Sequence, residues 1–181
     1  MTAKEIDKVM ESFSVIVDTR EQDTPRARKR YRAFEVPYTR ATLDYGDYCG
    51  QIILPDGRKV HTLDEDQERL FPVCAVERKK DLDELAANIT RGRKRFEREF
   101  ERAEKHGARM FLLIENASID MILRHDYRSK MNANSYFGTI ISWMVRGFFI
   151  PVFCPAERSG AIISEILRKD LKERLIRGEY G

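Results

Sequence analysis

The sequence predicts an α/β fold with a mixed central β-sheet flanked by helices, and two observations carry that reading. Short apolar runs bounded by polar residues (Val15-Ile16-Val17, Val73-Cys74-Ala75-Val76, and Met110 to Ile114) have the length and composition of buried strands. Around and after them lie segments whose apolar residues repeat at helical spacing, and the order is strands, helices, strand, helix, strand, helix.

Taken in order, residues 1–12 read as a short amphipathic helix or a loose arm, and 14–17 as a strand ending in Asp18-Thr19-Arg20-Glu21-Gln22. The basic, proline-containing stretch 23–32 is a loop or the start of a helix. Residues 36–43 alternate as a strand that runs into Asp44-Tyr45-Gly46-Asp47-Tyr48. Asp56-Gly57, between the strand-like runs 49–54 and 58–63, signals a hairpin. The acidic stretch 64–70 is an exposed loop or a short helical turn, and 73–76 is a buried strand that delivers Glu77 and Lys79. Asp81 fits a helix N-cap, with Glu84 three residues on completing a capping box; Leu82, Leu85, Ala86 and Ile89 form the apolar face. Phe96, Phe100 and Ala103 mark a second helix, stopped by Gly107. Residues 110–115 form a strand, 116–134 are polar with two short helical turns, 135–148 a helix, 150–153 a strand and 159–177 the C-terminal helix. A single domain over 1–181 is expected, without repeat or low-complexity linker.

The length of 181 residues is enough for a full core, and 35% charged residues make a heavily charged surface. The net charge is only +3, but the basic residues are clustered, and distribution matters more than the sum for a nucleic-acid partner. The three cysteines (Cys49, Cys74, Cys154) are far apart, which argues against a zinc site and a disulfide framework and fits a reducing cytosol. His61, His106 and His125 have no metal-ligand spacing and read as surface residues. The apolar stretch 136–153 is broken by Arg146, Gly147 and Pro151, so no membrane span is read, and the N-terminus is too polar for a signal peptide.

The chemistry concentrates at Glu77-Arg78-Lys79. Side chains two apart on a strand point to the same face, so Glu77 and Lys79 share one side. A second carboxylate from a neighbouring strand would complete an acidic pocket beside one ammonium, suited to a hard divalent cation and a phosphate. Val17-Asp18-Thr19-Arg20-Glu21, Gly46-Asp47 and Glu77-Arg78-Lys79-Lys80-Asp81-Leu82-Asp83 follow in that order. This ordered set resembles the nuclease domain of the XPF family, within the PD-(D/E)XK superfamily. Its signature is G-D, a variable stretch, then E-R-K-x-x-x-D, preceded by a strand ending in V-D-x-R-E. The resemblance continues through Gly92-Arg93 and a charged helix to Leu112-Leu113-Ile114-Glu115 and covers about residues 13–155. It implies a restriction-endonuclease-like sheet. The chain has no room for the tandem helix-hairpin-helix or helicase modules of cellular members and looks like compact stand-alone phage or prophage versions.

The resemblance implies that Asp47 and Glu77 are the first-choice ligands of Mg²⁺ or Mn²⁺, with Asp18 joining them directly or through water. Lys79 would orient or activate the attacking water or stabilise charge on the phosphate. Glu21, Arg20, Arg78 and Asp83 are expected in supporting roles; the bland alternatives are a local Arg20–Glu21 ion pair, a structural salt bridge for Arg78 and helix initiation for Asp83. The implied reaction is endonucleolytic hydrolysis of DNA, by resemblance branched, flap or junction DNA, in repair, recombination or phage replication. The competing reading is a catalytically silent DNA- or protein-binding module that keeps the fold.

Two basic segments are candidate phosphate contacts: Arg28, Lys29 and Arg30 in one, Arg91, Arg93, Lys94 and Arg95 in the other. Along 96–105 the glutamates balance the arginines at helical spacing, so that face reads as solvated. The apolar residues of the C-terminal third cover more than one helix face, which with the resemblance suggests a homodimer through this region. The expected location is the cytoplasm of a bacterium or phage-infected host, with nucleoid association.

Overall fold

The computed structural model describes residues 1–64 and 68–180. Its main sheet has six strands: β1 (Ser14–Asp18), β2 (Tyr38–Ala41), β3 (Tyr48–Gln51), β6 (Cys74–Lys79), β7 (Arg109–Glu115) and β8 (Ile150–Cys154). They are ordered β2-β1-β3-β6-β7-β8. β1 pairs parallel with β2 and antiparallel with β3; β3 pairs antiparallel with β6; β6, β7 and β8 run parallel. The helices are α1 (Ala3–Met10), α2 (Pro25–Arg32), α3 (Leu82–Thr90), α4 (Arg93–Lys105), α5 (Ile119–Leu123), α6 (Ala133–Val145) and α7 (Ser159–Ile176).

Local signals account for most of these boundaries. Thr2 and Glu5 form a reciprocal capping box, which makes residues 3–10 a helix rather than an arm. Thr24 caps α2, with Pro25 in its first turn, so the basic stretch is helical. Asp81 caps α3 by accepting from Glu84 N, but the Glu84 carboxylate turns back to Lys80 N, one residue earlier than a strict box requires. Gly107, at φ +66°, closes α4. Three expectations are corrected. The turn at 55–57 carries one antiparallel bridge, Ile53 to Lys59, while β4 (Thr62–Asp64) pairs instead with β5 (Arg69–Phe71). That second strand falls within the stretch 64–70 read as a loop or helical turn, of which 65–67 lie outside the described residues. Between 116 and 134 the described residues hold one helix, α5, rather than two turns.

The pleat sorts side chains into two cores. Val15, Val17, Cys74, Val76 and Leu113 face α1, α2 and α7, whereas Ala75, Leu112 and Ile114 face α3, α4 and α6. The same alternation carries Arg78 and Glu115 toward the first layer and Glu77 and Lys79 toward the second. In the apolar C-terminal third, Tyr136, Ile140, Trp143, Phe148 and Phe149 are core residues; Ile141, Met144, Val145 and Ile150 remain exposed. Phe100 is fully buried on α4 against Phe96, Trp143, Phe148 and Phe149. Truncating it leaves a cavity under the helix that flanks the site, so Phe100→Ala should cost about 3–5 kcal/mol. Urea unfolding checks this as a lowered midpoint at unchanged slope.

Candidate active site

Gly46 sits at φ +74°, and a Cβ there would lie 2.7 Å from the Ala75 Cβ. Both the backbone conformation and the space demand glycine. This tight turn locks Asp47 between two strands: Asp47 N donates to Val76 O at 2.9 Å, and Asp18 N donates to Asp47 O at 2.8 Å. Beyond Val76 the ladder with β3 ends, and the Asp47 side chain takes over. Its Oδ2 accepts the Arg78 N–H at 2.8 Å. Asp47 is therefore aimed at the strand segment that carries Glu77 and Lys79.

Glu77 and Lys79 are both buried, with Lys79 Nζ donating to Glu77 Oε1 at 2.5 Å and lying 4.8 Å from the Phe96 ring centroid. Burial and then the nearby Glu77 charge push the Asp47 carboxyl well above its usual range. Burial alone would lower the Lys79 ammonium, but the Glu77 and Asp47 carboxylates outweigh it and hold its pKa above the ordinary lysine value. Lys79 is thus a fixed positive charge at neutral pH.

A fourth group was hidden in the charged helix. Glu99 on α4 does not face solvent with its neighbours; its Oε1 accepts the Gly46 N–H at 2.8 Å. Burial, then the Glu77 charge, raises its pKa to about 7. Sequence reading took Glu97, Glu99, Glu101 and Glu104 together as partners for arginines. The available signal was position: Glu99 follows Phe96 by three and precedes Ala103 by four, so it lies on the edge of the buried stripe. Glu97 also departs from that reading in part, because besides Arg93 it accepts the Trp143 indole N–H at 3.0 Å.

The other expected residues separate. Asp18, expected beside Asp47 and Glu77 as a metal ligand, is engaged by Arg20 and Leu43. Its carboxylate accepts Arg20 Nε at 2.8 Å, Arg20 Nη2 at 2.9 Å, the Arg20 N–H and the Leu43 N–H at 2.8 Å, so its acceptor sites are used. Arg20 pairs with Asp18 rather than with Glu21. Glu21 instead accepts the Tyr48 hydroxyl and sits 3.8 Å from both Arg30 and Arg78. Arg78, on the opposite face of β6 from Lys79, pairs with the fully buried Glu115 at 3.4 Å. Arg26 and Arg30 bind the same carboxylate at 2.9 and 3.2 Å. Asp83 accepts the backbone N–H groups of Arg128 and Ser129.

The cation contacts are likewise uneven. Arg30 is buried against Glu115, Tyr48 and Ser159, which corrects its expected role at a DNA surface. Arg28 is exposed but paired with Asp23, and Lys29 is exposed. Arg91, Arg93, Lys94 and Arg95 are exposed around one concavity at the α3–α4 junction. His61 is not the expected surface residue: it is half-buried, held to Gly50 O at 2.5 Å, and burial pushes its pKa down to about 4.

Among the described residues, no three His, Cys, Asp or Glu side chains converge as a complete metal cage. Two carboxylates, however, each keep an oxygen (Asp47 Oδ1 and Glu77 Oε2) that accepts no hydrogen bond from a described residue. Mg²⁺ suits such a set, because it is bound through one or two carboxylates together with waters and substrate phosphates rather than by an all-protein cage. The donors present fit a hard divalent cation.

The ERCC4 domain, as a family, matches residues 17–166, a span that contains Asp18, Asp47, Glu77, Lys79 and Glu99. The chain belongs to the ERCC4 domain family. Its fold is similar to XPF from Aeropyrum pernix, with a TM-score of 0.59 and 16% identity over 92% of this chain and 69% of that one. A structure of XPF from Aeropyrum pernix in complex with DNA matches with a TM-score of 0.59 and 18% identity, over 88% of this chain and 65% of that chain. At such identities the likeness is one of fold. No curated protein matches this sequence. The XPF-family nuclease domain and the mixed α/β sheet expected from the sequence are both met.

Two outcomes follow for this ERCC4 domain. Glu99 holds its proton more tightly folded than unfolded, so its contribution to stability declines as pH rises from the ordinary glutamate range toward about 7. Glu99→Gln removes that loss. In cation-free buffer its Tm should match wild type near pH 4 and exceed it near pH 8, by roughly 2–4 °C per kcal/mol at this chain length, as thermal scans across pH would register. Gly46→Ala forces both a left-handed φ and a clash with Ala75, and should destabilise by about 1–3 kcal/mol, read from denaturant midpoints.

Proposed function

We propose that this domain is a divalent-metal-dependent DNA endonuclease that cuts branched DNA or junctions of single and double strand. The observation that carries the reading is the set of two carboxylate oxygens, on Asp47 and Glu77, that accept no hydrogen bond from a described residue, beside the buried Lys79 ammonium. Family membership supports nuclease chemistry, and the DNA named with the Aeropyrum pernix structure supports DNA as the substrate.

In this reading Asp47 and Glu77 hold Mg²⁺ or Mn²⁺. The bound ion would supply a Lewis acid and lower the pKa of a coordinated water. Lys79 stays protonated, held between Glu77 and the Phe96 ring, so it acts by charge and hydrogen-bond donation on the scissile phosphate rather than as a base. Glu99 fixes the Gly46 turn and through it the position of Asp47. Asp18 and Arg20 brace the end of β1 against Leu43. DNA repair, recombination and phage replication are the settings that suit such an activity. The exposed Ile141, Met144 and Val145 on α6, with Ile150 on the edge strand β8, offer an apolar strip where a second copy would pair. Among the described residues no helix is long and apolar enough to cross a membrane.

The test is cleavage of an end-labelled panel of single strand, duplex, flap, splayed arm and four-way junction. Branched substrates should be cut with Mg²⁺ or Mn²⁺ and left intact with EDTA. Lys79→Ala should lower the rate by about 10²–10³-fold, and Glu77→Ala by at least as much. Tight binding without cutting, unchanged in both variants, would favour a silent binding module instead.

A further inference from the structure

Asp83 is used almost entirely on one loop. Its Oδ1 accepts the backbone N–H groups of Arg128 at 2.9 Å and Ser129 at 2.8 Å, and its Oδ2 accepts Arg128 Nε at 3.0 Å. The loop itself is braced. His125, at φ +59°, bonds Ser129 O at 3.0 Å and stacks on Tyr127, whose hydroxyl donates to Met131 O at 2.8 Å. A rigid turn is thereby fastened to the first turn of α3, and its two cations face outward. Arg128 is 86% exposed, and its Nη groups meet no described acceptor, while Lys130 is exposed and forms no ion pair with a described residue.

The position of this loop gives it a use. A cleft of 530 Å³ opens at the C-terminal end of β6, lined by Arg20, Arg26, Arg30, Arg78 and Lys80 with Glu21 and Glu84 among them, and reaches Asp83 and Arg128. Arg78 and Lys80 flank Lys79 in the chain. A second concavity shares Asp83 and Arg128 with the first and adds Lys130 and Arg91. A third shares Arg91 with the second and continues past Lys94, Arg95 and Arg98. The three concavities adjoin along α3; cations predominate in the first, which also holds Glu21 and Glu84. In the second, Asp83 is the single acidic lining residue and its oxygens are occupied; the third has none. A concave surface in which one sign predominates focuses the field on a polyanion. α3 has nine residues and is therefore about 13 Å long, roughly four base steps of a DNA strand.

We propose that the loop around Arg128 and Lys130, positioned by Asp83, is a phosphate-binding element that joins the cleft at the C-terminal end of β6 to the basic patch at the α3–α4 junction, so that one DNA strand is gripped continuously along α3. This rests on the nuclease reading for its ligand. Asp83 is then a positioning residue: it holds the loop and touches neither the cation nor the substrate.

The experiment measures binding of a fluorescent splayed-arm DNA in EDTA across a salt series. Proteins are wild type, Arg128→Ala/Lys130→Ala, Asp83→Ala, and Arg168→Ala/Lys169→Ala on exposed positions of α7 as a charge-matched control. Losing two phosphate contacts reduces the slope of log K against log salt by about 1.8. From 50 to 200 mM salt the wild type should then lose about 12-fold more affinity than the Arg128→Ala/Lys130→Ala protein. The control should keep the wild-type slope. Asp83→Ala should show a reduced slope with both cations still present, and faster proteolysis at residues 127–130. Wild-type binding with the Arg128→Ala/Lys130→Ala slope equal to that of the control overturns the loop as a contact. An unchanged Asp83→Ala slope overturns its positioning role. No DNA binding by the wild type overturns the nuclease reading itself, and the two failures are thereby distinguished.

Discussion

The hydrogen bond from the Arg78 N–H to Asp47 Oδ2 marks the place where a backbone ladder hands over to a side chain. β3 pairs with β6 at Tyr48–Val76 and Cys49–Ala75, and β6 runs on to Lys79 with that flank unpaired. The Asp47 carboxylate fills the next hydrogen-bonding position. The side chain that finishes the ladder is therefore the side chain that stands next to Glu77. It gets there because Gly46 turns through a left-handed conformation over Ala75, where any Cβ would collide. Glu99 then closes the turn from the helix side. Sheet register, turn and site are one arrangement, and a change in any of them moves the carboxylate pair.

The pleat of β6 separates two kinds of buried charge. On one face, Glu115 gathers Arg26, Arg30 and Arg78, and Tyr48 and Ser159 accept from the other two nitrogens of Arg30. A buried carboxylate matched this fully is a structural clamp, tying α2 and α7 to the strand ends, since leaving such a charge unpaired would be strongly destabilising. On the other face, Lys79 bonds Glu77, and burial followed by the Glu77 charge raises the proton affinity of Asp47 and Glu99. Asp47 Oδ1 and Glu77 Oε2 accept no hydrogen bond from a described residue, which suits a site that gains a cation from solution. The contrast across a single strand distinguishes the residues that hold the fold from those available for chemistry.

Much of this was legible in the chain. Strand and helix order followed from apolar periodicity and from caps such as Asp81, where a local side chain satisfies a local N–H. The pairing of Glu77 with Lys79 followed from strand alternation. The failures share a cause. Arg30 and Asp18 read as surface and site residues, yet one is buried under α7 by partners from distant segments, and the other is engaged by its neighbour Arg20 and by the distant Leu43. Glu99 was masked by a run of similar glutamates, and Arg128 and Lys130 lay in a stretch with no periodicity to read.

By itself, the sequence determined the class of fold, the positions of most elements and the family signature, since each depends on short-range spacing and residue type. Only the tertiary structure decided which charged groups meet. Whether an aspartate or arginine is clamp, ligand or free contact depends on what the chain brings opposite it. For Glu115 that is α2 and β6, for Asp83 the turn after α5, and for Glu99 the Gly46 turn. Those partners lie tens of residues away, and side-chain spacing along one segment carries no information about them.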